Sequence, residues 1–197
     1  MARLLIGSDE VGYGAWAGPL VVCAVATSTT RALPAGLTDS KALTKAARER
    51  IYAALHAAAL PCVLVQVSSE ALDRVGVHAA LIAAHTQAIQ QLRREFRAFC
   101  DADVVVDGTV ALPDLPEARV LPKADTLVPA VSAASVIAKV ARDTQMAFYD
   151  RIFPGYGFAE NVGYGTKEHT MGLERLGVCD IHRRSYRPIK KYLASPS

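Results

Sequence analysis

The chain is poor in the residues that staple small folds or cross membranes. Its four cysteines (Cys23, Cys62, Cys100, Cys179) are scattered, with no C-x-x-C pair. That spacing excludes a disulfide framework and the common zinc sites, so the thiols are expected to be reduced and buried. No apolar run reaches the ~20 residues of a membrane-spanning helix, and no membrane partner is expected. Leu4-Leu5-Ile6 meets Asp9-Glu10 too soon to be the apolar core of a secretion signal. The expected location is therefore cytoplasmic. Nucleotide and hydrolase signatures are also missing. Gly12, Gly14 and Gly18 fail G-x-G-x-x-G because position 17 is Ala17, and neither G-x-x-x-x-G-K-[ST] nor G-x-S-x-G occurs. The histidines (His56, His78, His85, His169, His182) have no zinc-like pairing with cysteine. His85, on an apolar helical stripe, reads as a core or boundary residue.

What remains is an ordinary globular composition. Hydrophobic residues make up 51% and charged residues 21%, which excludes a disordered chain. At 197 residues the chain is long enough to bury a core without staples. Net charge is +3, but its distribution says more. From Ile181 onward there are five basic residues (Arg183, Arg184, Arg187, Lys190, Lys191) and no acid, so residues 1–180 carry −2. A mildly acidic body with a basic tail suits a phosphate-bearing partner. A plain solvated face has the same composition.

Five runs read as strands: Arg3–Ser8, Pro19–Thr27, Cys62–Val67, Asp103–Asp107 and Arg119–Leu121. Helical spacing predicts helices over Lys45–Ala59, Val77–Phe99 and Pro129–Ile152. A last one is predicted over Thr166–Leu176, with Thr166 as N-cap and Gly177 past its end. Two adjacent early strands predict antiparallel pairing, and later strands alternating with helices predict parallel pairing. The expected class is α/β, a five-stranded mixed sheet flanked by helices. No linker-like stretch divides the chain. Residues 1–192 read as one domain, with a basic segment from about 181, and 193–197 as a disordered tail. A monomer is expected.

The acids are placed tellingly. Asp9-Glu10 follows an apolar run and precedes glycines, Asp107 ends the run Asp103–Asp107, and Asp125 lies just ahead of the Pro129 helix. Acids so placed are expected to converge at one sheet edge. Converging carboxylates repel, and the natural remedy is a divalent cation. All-oxygen ligands select a hard ion such as Mg²⁺ or Mn²⁺. Two such ions about 3.5–4 Å apart form the site that cleaves phosphodiesters. Read singly, an Asp before Gly at a strand end is also a common turn residue. On the Pro129 helix, Ser132, Ser135, Lys139 and Arg142 share one face, beginning beside Asp125. That face is expected to be a phosphate track or an ordinary amphipathic face.

Several stretches, taken in order, resemble a known family. Gly7-Ser8-Asp9-Glu10-Val11-Gly12-Tyr13-Gly14 with Ala17-Gly18-Pro19-Leu20-Val21-Val22 is similar to the opening motif of ribonuclease HII. Thr38-Asp39-Ser40-Lys41-Ala42-Leu43, Val106-Asp107-Gly108 and Lys123-Ala124-Asp125 continue it. So do Val131–Asp143, Gly163-Tyr164-Gly165-Thr166-Lys167-Glu168-His169 and His182-Arg183-Arg184-Ser185-Tyr186. Each motif is weak alone, but the ordered set spans nearly the whole chain.

The resemblance implies a ribonuclease H-like catalytic domain acting on RNA–DNA hybrids or ribonucleotide-containing duplex DNA. It implies cleavage on the 5′ side of a ribonucleotide, leaving 3′-hydroxyl and 5′-phosphate ends. Its four catalytic, metal-holding acids map to Asp9, Glu10, Asp107 and Asp125, with Mg²⁺ or Mn²⁺ as cofactor. Substrate-binding positions are expected at Gly12, Tyr13, Gly14, Lys41, Tyr164, Lys167, Arg183 and Arg184, together with Ser132 and Ser135 of the helix face described above. One departure stands out: the family usually has Gly-Arg-Gly where this chain has Gly12-Tyr13-Gly14. In the family this backbone contacts the ribose 2′-hydroxyl. Tyr13 therefore leaves two alternatives open: ribonuclease HIII-like action on hybrids only, or a hybrid-binding module without turnover.

Overall fold

In a computed structural model of the chain, the structure describes residues 3–37, 40 and 43–193. Lys41 and most of the motif Thr38–Leu43 lie outside the described residues. In chain order the elements are β1 (Leu4–Val11), β2 (Leu20–Ser28), α1 (Lys45–Ala57), β3 (Cys62–Val67), α2 (Ser69–Val75) and α3 (Val77–Glu95). A 3₁₀ turn (Arg97–Phe99) follows, then β4 (Asp103–Asp107), β5 (Arg119–Leu121), α4 (Ala124–Leu127) and α5 (Pro129–Ile152). The chain continues with α6 (Phe158–Asn161), α7 (Lys167–Leu176) and α8 (Arg187–Leu193). It divides into two compact units.

The first unit comprises Met1–Val11, Val21–Val65 and Leu81–Val140. It is built on the five-stranded sheet, in the order β3-β2-β1-β4-β5. β1 pairs antiparallel with β2 and parallel with β4, and β4 pairs parallel with β5, so the sheet is mixed as expected. β2 runs Leu-Val-Val-Cys-Ala-Val-Ala-Thr, all buried, because an interior strand is covered on both faces. Val21, Cys23 and Val25 pack against Ile51 and Leu55 of α1 and Ala133, Ala134, Ile137 and Ala138 of α5. α5 lies very close to β1: a Cβ on Gly7 would stand 2.4 Å from the Ala130 and Val131 backbone. Only glycine permits that approach.

The second unit comprises Gly12–Leu20, Gln66–Ala80 and Ala141–Ser197. Its core joins Ala17, Met146, Tyr156, Phe158, Leu173, Ile181 and Ile189. Thr166 caps α7 by accepting from the His169 N–H, and Ser68 caps α2 by accepting from the Ala71 N–H.

Some expectations need correction. The predicted Val77–Phe99 helix ends at Glu95, and Arg97–Phe99 forms a 3₁₀ turn instead. The apolar repeat overran the helix because Phe96, counted in it, is exposed and leaves helical geometry. Helices α2, α4, α6 and α8 are too short to show an apolar period. Leu193 belongs to α8 rather than to a tail, while 194–197 lie outside the described residues. All four thiols are free, but only Cys23 is fully buried. Cys62 starts β3, whose side chains alternate in and out. Cys100 follows the exposed 3₁₀ turn. Among the described residues, no helix is long and apolar enough to cross a membrane.

Candidate active site

In the first unit the acids gather at the C-terminal ends of β1 and β4. Asp9 and Glu10 lie within β1 rather than after it. Ser8 pairs with Val106, which puts Asp9 and Asp107 next in line on adjacent parallel strands. Both lie at the C-terminal edge of the sheet, on two neighbouring interior strands. Strand alternation then divides the β1 residues. Gly7 and Asp9 face α5, while Ser8 and Glu10 face α3, where both approach His85.

Asp107 Oδ1 accepts from the Ala124 N–H at 2.6 Å. That bond ties the first residue of α4 to the end of β4 and places Asp125, buried within this short helix and just ahead of α5 as expected, one residue further on. Lys123 enters α4 in the left-handed conformation (φ 59°). Ser132 Oγ donates to the Asp125 carbonyl at 2.5 Å and so joins α5 to α4.

Asp9 carries the clearest electrostatic signature. Burial pushes its carboxyl from 3.8 up to about 8, and the Glu10 and Asp107 charges add to the rise. Hydrogen bonds from the Ser135 hydroxyl and the Glu10 N–H pull the other way. Ser135 is itself held by Ser40, Oγ to Oγ at 2.8 Å.

This donor set suits a hard divalent cation. It is all oxygen, and one acid resists ionisation beside its neighbours. Among the described residues, no three His, Cys, Asp or Glu side chains stand close enough together to hold a metal ion by themselves. An open set fits an ion that keeps waters and shares substrate phosphate oxygens, as Mg²⁺ does.

The second unit carries the loop Gly12-Tyr13-Gly14 and its scaffold. Gly12 has φ +88°, and a Cβ there would stand 2.2 Å from Arg142 Nε. Arg142 is fully buried and donates to three carbonyls: Pro19 (2.9 Å), Val162 (2.7 Å) and Ala17 (3.1 Å). Burial lowers its pKa to about 10, which leaves it charged at neutral pH. Arg183, also fully buried, donates to the Gly18 carbonyl (3.0 Å), the Tyr13 carbonyl (2.9 Å) and Tyr186 Oη (2.9 Å). Tyr186 Oη donates to the same Tyr13 carbonyl at 2.7 Å.

A chain of fixed tautomers supports the neighbouring loop. The Cys179 N–H donates to His182 Nδ1 (2.9 Å), which leaves the His182 proton on Nε2, facing His169 Nε2 at 2.9 Å. His169 Nδ1 then donates to the Tyr164 carbonyl at 3.0 Å. Both rings are neutral in this arrangement. Burial lowers both, and His182 falls to about 4.

The positions expected to bind substrate therefore separate. Tyr13 and Tyr164 are exposed, at 39% and 37%, and Lys167 and Arg184 are exposed as well. The Arg184 N–H and the Ser185 N–H both donate to Asp73 of α2, at 2.7 and 2.8 Å. Arg183 is not a surface contact: its guanidinium is buried, with Nε and Nη1 donating to loop carbonyls and Nη2 without a partner among the described residues. Of the expected phosphate track on α5, Ser132, Ser135 and Arg142 are buried with partners inside the fold, and Lys139 is half-buried. Patterns of 3.6 residues report which side chains share a face. They do not report whether that face is wet.

The five-stranded mixed sheet with its flanking helices is the fold of the ribonuclease H-like class. The chain matches the RNase HII of Archaeoglobus fulgidus, solved in a complex with PCNA, at TM-score 0.77 and 25% identity. That match covers 93% of this chain and 95% of the other. The ribonuclease HII family pattern matches residues 6–189. Ribonuclease HII of Dichelobacter nodosus (strain VCS1703A) is 41% identical over 191 residues, 96% of this chain and 97% of that protein. Ribonuclease HII of Halorhodospira halophila (strain DSM 244 / SL1) is 39% identical over 190 residues, 96% and 94% of the two chains. The chain belongs to the ribonuclease HII family. It is a ribonuclease H, an endoribonuclease of the hydrolase class, and enzymes of this type depend on a divalent metal ion.

Proposed function

We propose that the chain hydrolyses the RNA strand of RNA–DNA hybrids and cuts on the 5′ side of ribonucleotides embedded in duplex DNA, leaving 3′-hydroxyl and 5′-phosphate ends. The observation that carries this reading is Asp9, buried beside Glu10 and Asp107 and pushed up to about 8. Such a cluster invites cations and the phosphates that accompany them. Asp9, Glu10, Asp107 and Asp125 are the residues that would hold two Mg²⁺ or Mn²⁺ ions. Two ions of this kind supply Lewis-acid chemistry, activating water and stabilising the leaving 3′ oxygen.

The chain's own residues do the rest. Ser135 orients the Asp9 carboxylate, and the Ala124 N–H fixes Asp107. The Gly12 and Gly14 backbone approaches the ribose, where a 2′-hydroxyl distinguishes RNA from DNA. Arg183, Arg142 and Tyr186 hold that loop in shape through its carbonyls. Tyr164 stacks on the sugar beside the cut, and Lys167 and Arg184 contact phosphates without reading sequence.

Tyr13 favours a second reading. An exposed aromatic where the family usually has arginine removes a charged phosphate contact, and specificity then shifts to continuous hybrids. End-labelled cleavage with Mg²⁺ or Mn²⁺ tests both. One substrate is a DNA duplex with a single ribonucleotide, and the other is a continuous RNA–DNA hybrid. A cut 5′ of the single ribonucleotide supports the first reading. Cleavage of the hybrid alone supports the second, and no cleavage of either with either ion overturns both. Asp9→Asn and Asp107→Asn, checked for folding, should lose all turnover.

A further inference from the structure

One buried side chain at the acid cluster has no assigned role. His85 of α3 is 2% exposed, and its ring spans two residues of β1. Nδ1 lies 2.8 Å from Ser8 Oγ, and Nε2 lies 3.4 Å from Glu10 Oε2. Nε2 and Oε2 are both sealed from solvent, and neither makes a hydrogen bond among the described residues, so the 3.4 Å approach is the contact between them. Ser8 and Glu10 project to the same face because they are two apart on a strand.

The single proton of Ser8 constrains the ring. Ser8 Oγ contacts the Cys23 carbonyl at 3.0 Å as well as His85 Nδ1. If Ser8 donates to Nδ1, the neutral ring carries its proton on Nε2, facing Glu10. If Ser8 donates to Cys23, Nδ1 must carry a proton to meet Oγ. A bare Nε2 would then oppose a bare carboxylate oxygen, lone pair against lone pair. The arrangement that avoids the clash is the first, with the Nε2–H aimed at Oε2 across 3.4 Å.

We infer that His85 is a positioning residue: it pins one oxygen of Glu10 and turns the rest of the carboxylate toward the bound cation. The inference rests on the reading of Glu10 as a metal ligand. Its physical basis is general, because ligating carboxylates are themselves held by hydrogen bonds, and losing such a bond costs about 10–100-fold in metal affinity or activity. The Ser8–His85 contact sets the ring plane, and burial keeps water from replacing it.

The test measures Mn²⁺ binding to the full chain without substrate, by electron paramagnetic resonance of free Mn²⁺, beside kcat and KM. His85→Gln carries an amide N–H2 near the position of Nε2. His85→Asn reaches only as far as Nδ1, toward Ser8. Thermal unfolding in EDTA confirms that each variant is folded. His85→Asn should weaken Mn²⁺ binding about 10-fold or more and lower kcat with little change in KM. His85→Gln should recover most of the affinity. If folded His85→Asn binds Mn²⁺ as tightly as wild type, or if His85→Gln and His85→Asn lose affinity equally, the inference is overturned. Glu10→Gln separates the two layers of argument. A loss of Mn²⁺ in Glu10→Gln with none in His85→Asn sinks only the positioning role. Wild-type binding in Glu10→Gln sinks the ligand reading with it.

Discussion

Asp9→Asn should make the metal-free protein more stable while it destroys activity. The Asp9 carboxyl titrates at 3.8 when unfolded and at about 8 in the fold, mainly because it is buried. A carboxyl raised in this way favours the native state fully below the unfolded value. The contribution is lost as pH rises from about 4 to about 8, because the unfolded chain ionises first. A shift of this size, at about 1.4 kcal/mol per pH unit, sets a ceiling of about 5 kcal/mol at pH 8. Water entry and movement of Glu10 and Asp107 screen part of it, and a gain of about 2 kcal/mol for the variant is expected. For a chain of this size that is about 4–8 °C in Tm. Asparagine keeps the shape and cannot ionise, so it escapes the cost. Urea and thermal unfolding in EDTA, from pH 4 to pH 8.5, give the comparison. The gain should vanish near pH 4 and grow to pH 8. Added Mg²⁺ should stabilise wild type and leave the variant unmoved. Equal stability at pH 8, or a gain that does not change with pH, would refute the electrostatic account of this cluster.

Three further outcomes are expected. In the Asp9→Asn background, stability should fall as pH drops from about 6.5 to about 4, by up to about 3 kcal/mol. There the unfolded chain protonates His182 while burial and His169 hold the folded ring neutral. A flat urea-unfolding profile over that range contradicts the proposed tautomer chain. Gly12→Ala should cost about 2 kcal/mol or more and abolish cleavage. Its φ of +88° is unfavourable for alanine, and its Cβ would meet an Arg142 guanidinium that three carbonyls hold in place; unchanged urea denaturation argues against that clash. Arg142→Met should lose about 3–5 kcal/mol in the same assay, with Arg142→Lys recovering only part, because an ammonium cannot reproduce the fork. Full recovery by lysine would mean that charge, not geometry, fixes the loop.

Much of this molecule can be read from its residues, and the exceptions have physical causes. Asp103–Asp107 reads as a strand because three consecutive valines between acids have few other uses, and the structure has a strand with the same limits. The antiparallel β1–β2 pair and the parallel β4 follow from the order of the runs. The four acids are named by residue type and place, but the turning of Asp9 and Glu10 to opposite faces of the sheet requires β1 to continue through them. The run of apolar residues stops short of them, so the strand looks shorter than it is. His85 is invisible for a related reason. An apolar stripe marks a residue as inward-facing and says nothing about which strand residue waits opposite. Arg142 and Arg183 show the same limit in reverse. Their charge suggests solvent and phosphate, whereas the carbonyls that bury them belong to loops distant in sequence. Short helices such as α2 carry too few turns to repeat, though Ser68 two residues after Gln66 is a legible N-cap signal for it.

The alternation of β1 has a further consequence, for how this stretch can vary. Gly7 and Asp9 serve one layer of the first unit, Ser8 and Glu10 the other, so two sets of requirements are interleaved at single-residue spacing. A point change disturbs one layer and leaves the other standing. The loss or gain of a single residue between Leu4 and Asp9 would exchange the layers wholesale. A side chain would be driven into the backbone of α5 where Gly7 now gives way, and Asp9 would be turned toward His85. The strand thus has a reading frame of its own. Substitutions here are graded in their effect, while insertions and deletions are all-or-none.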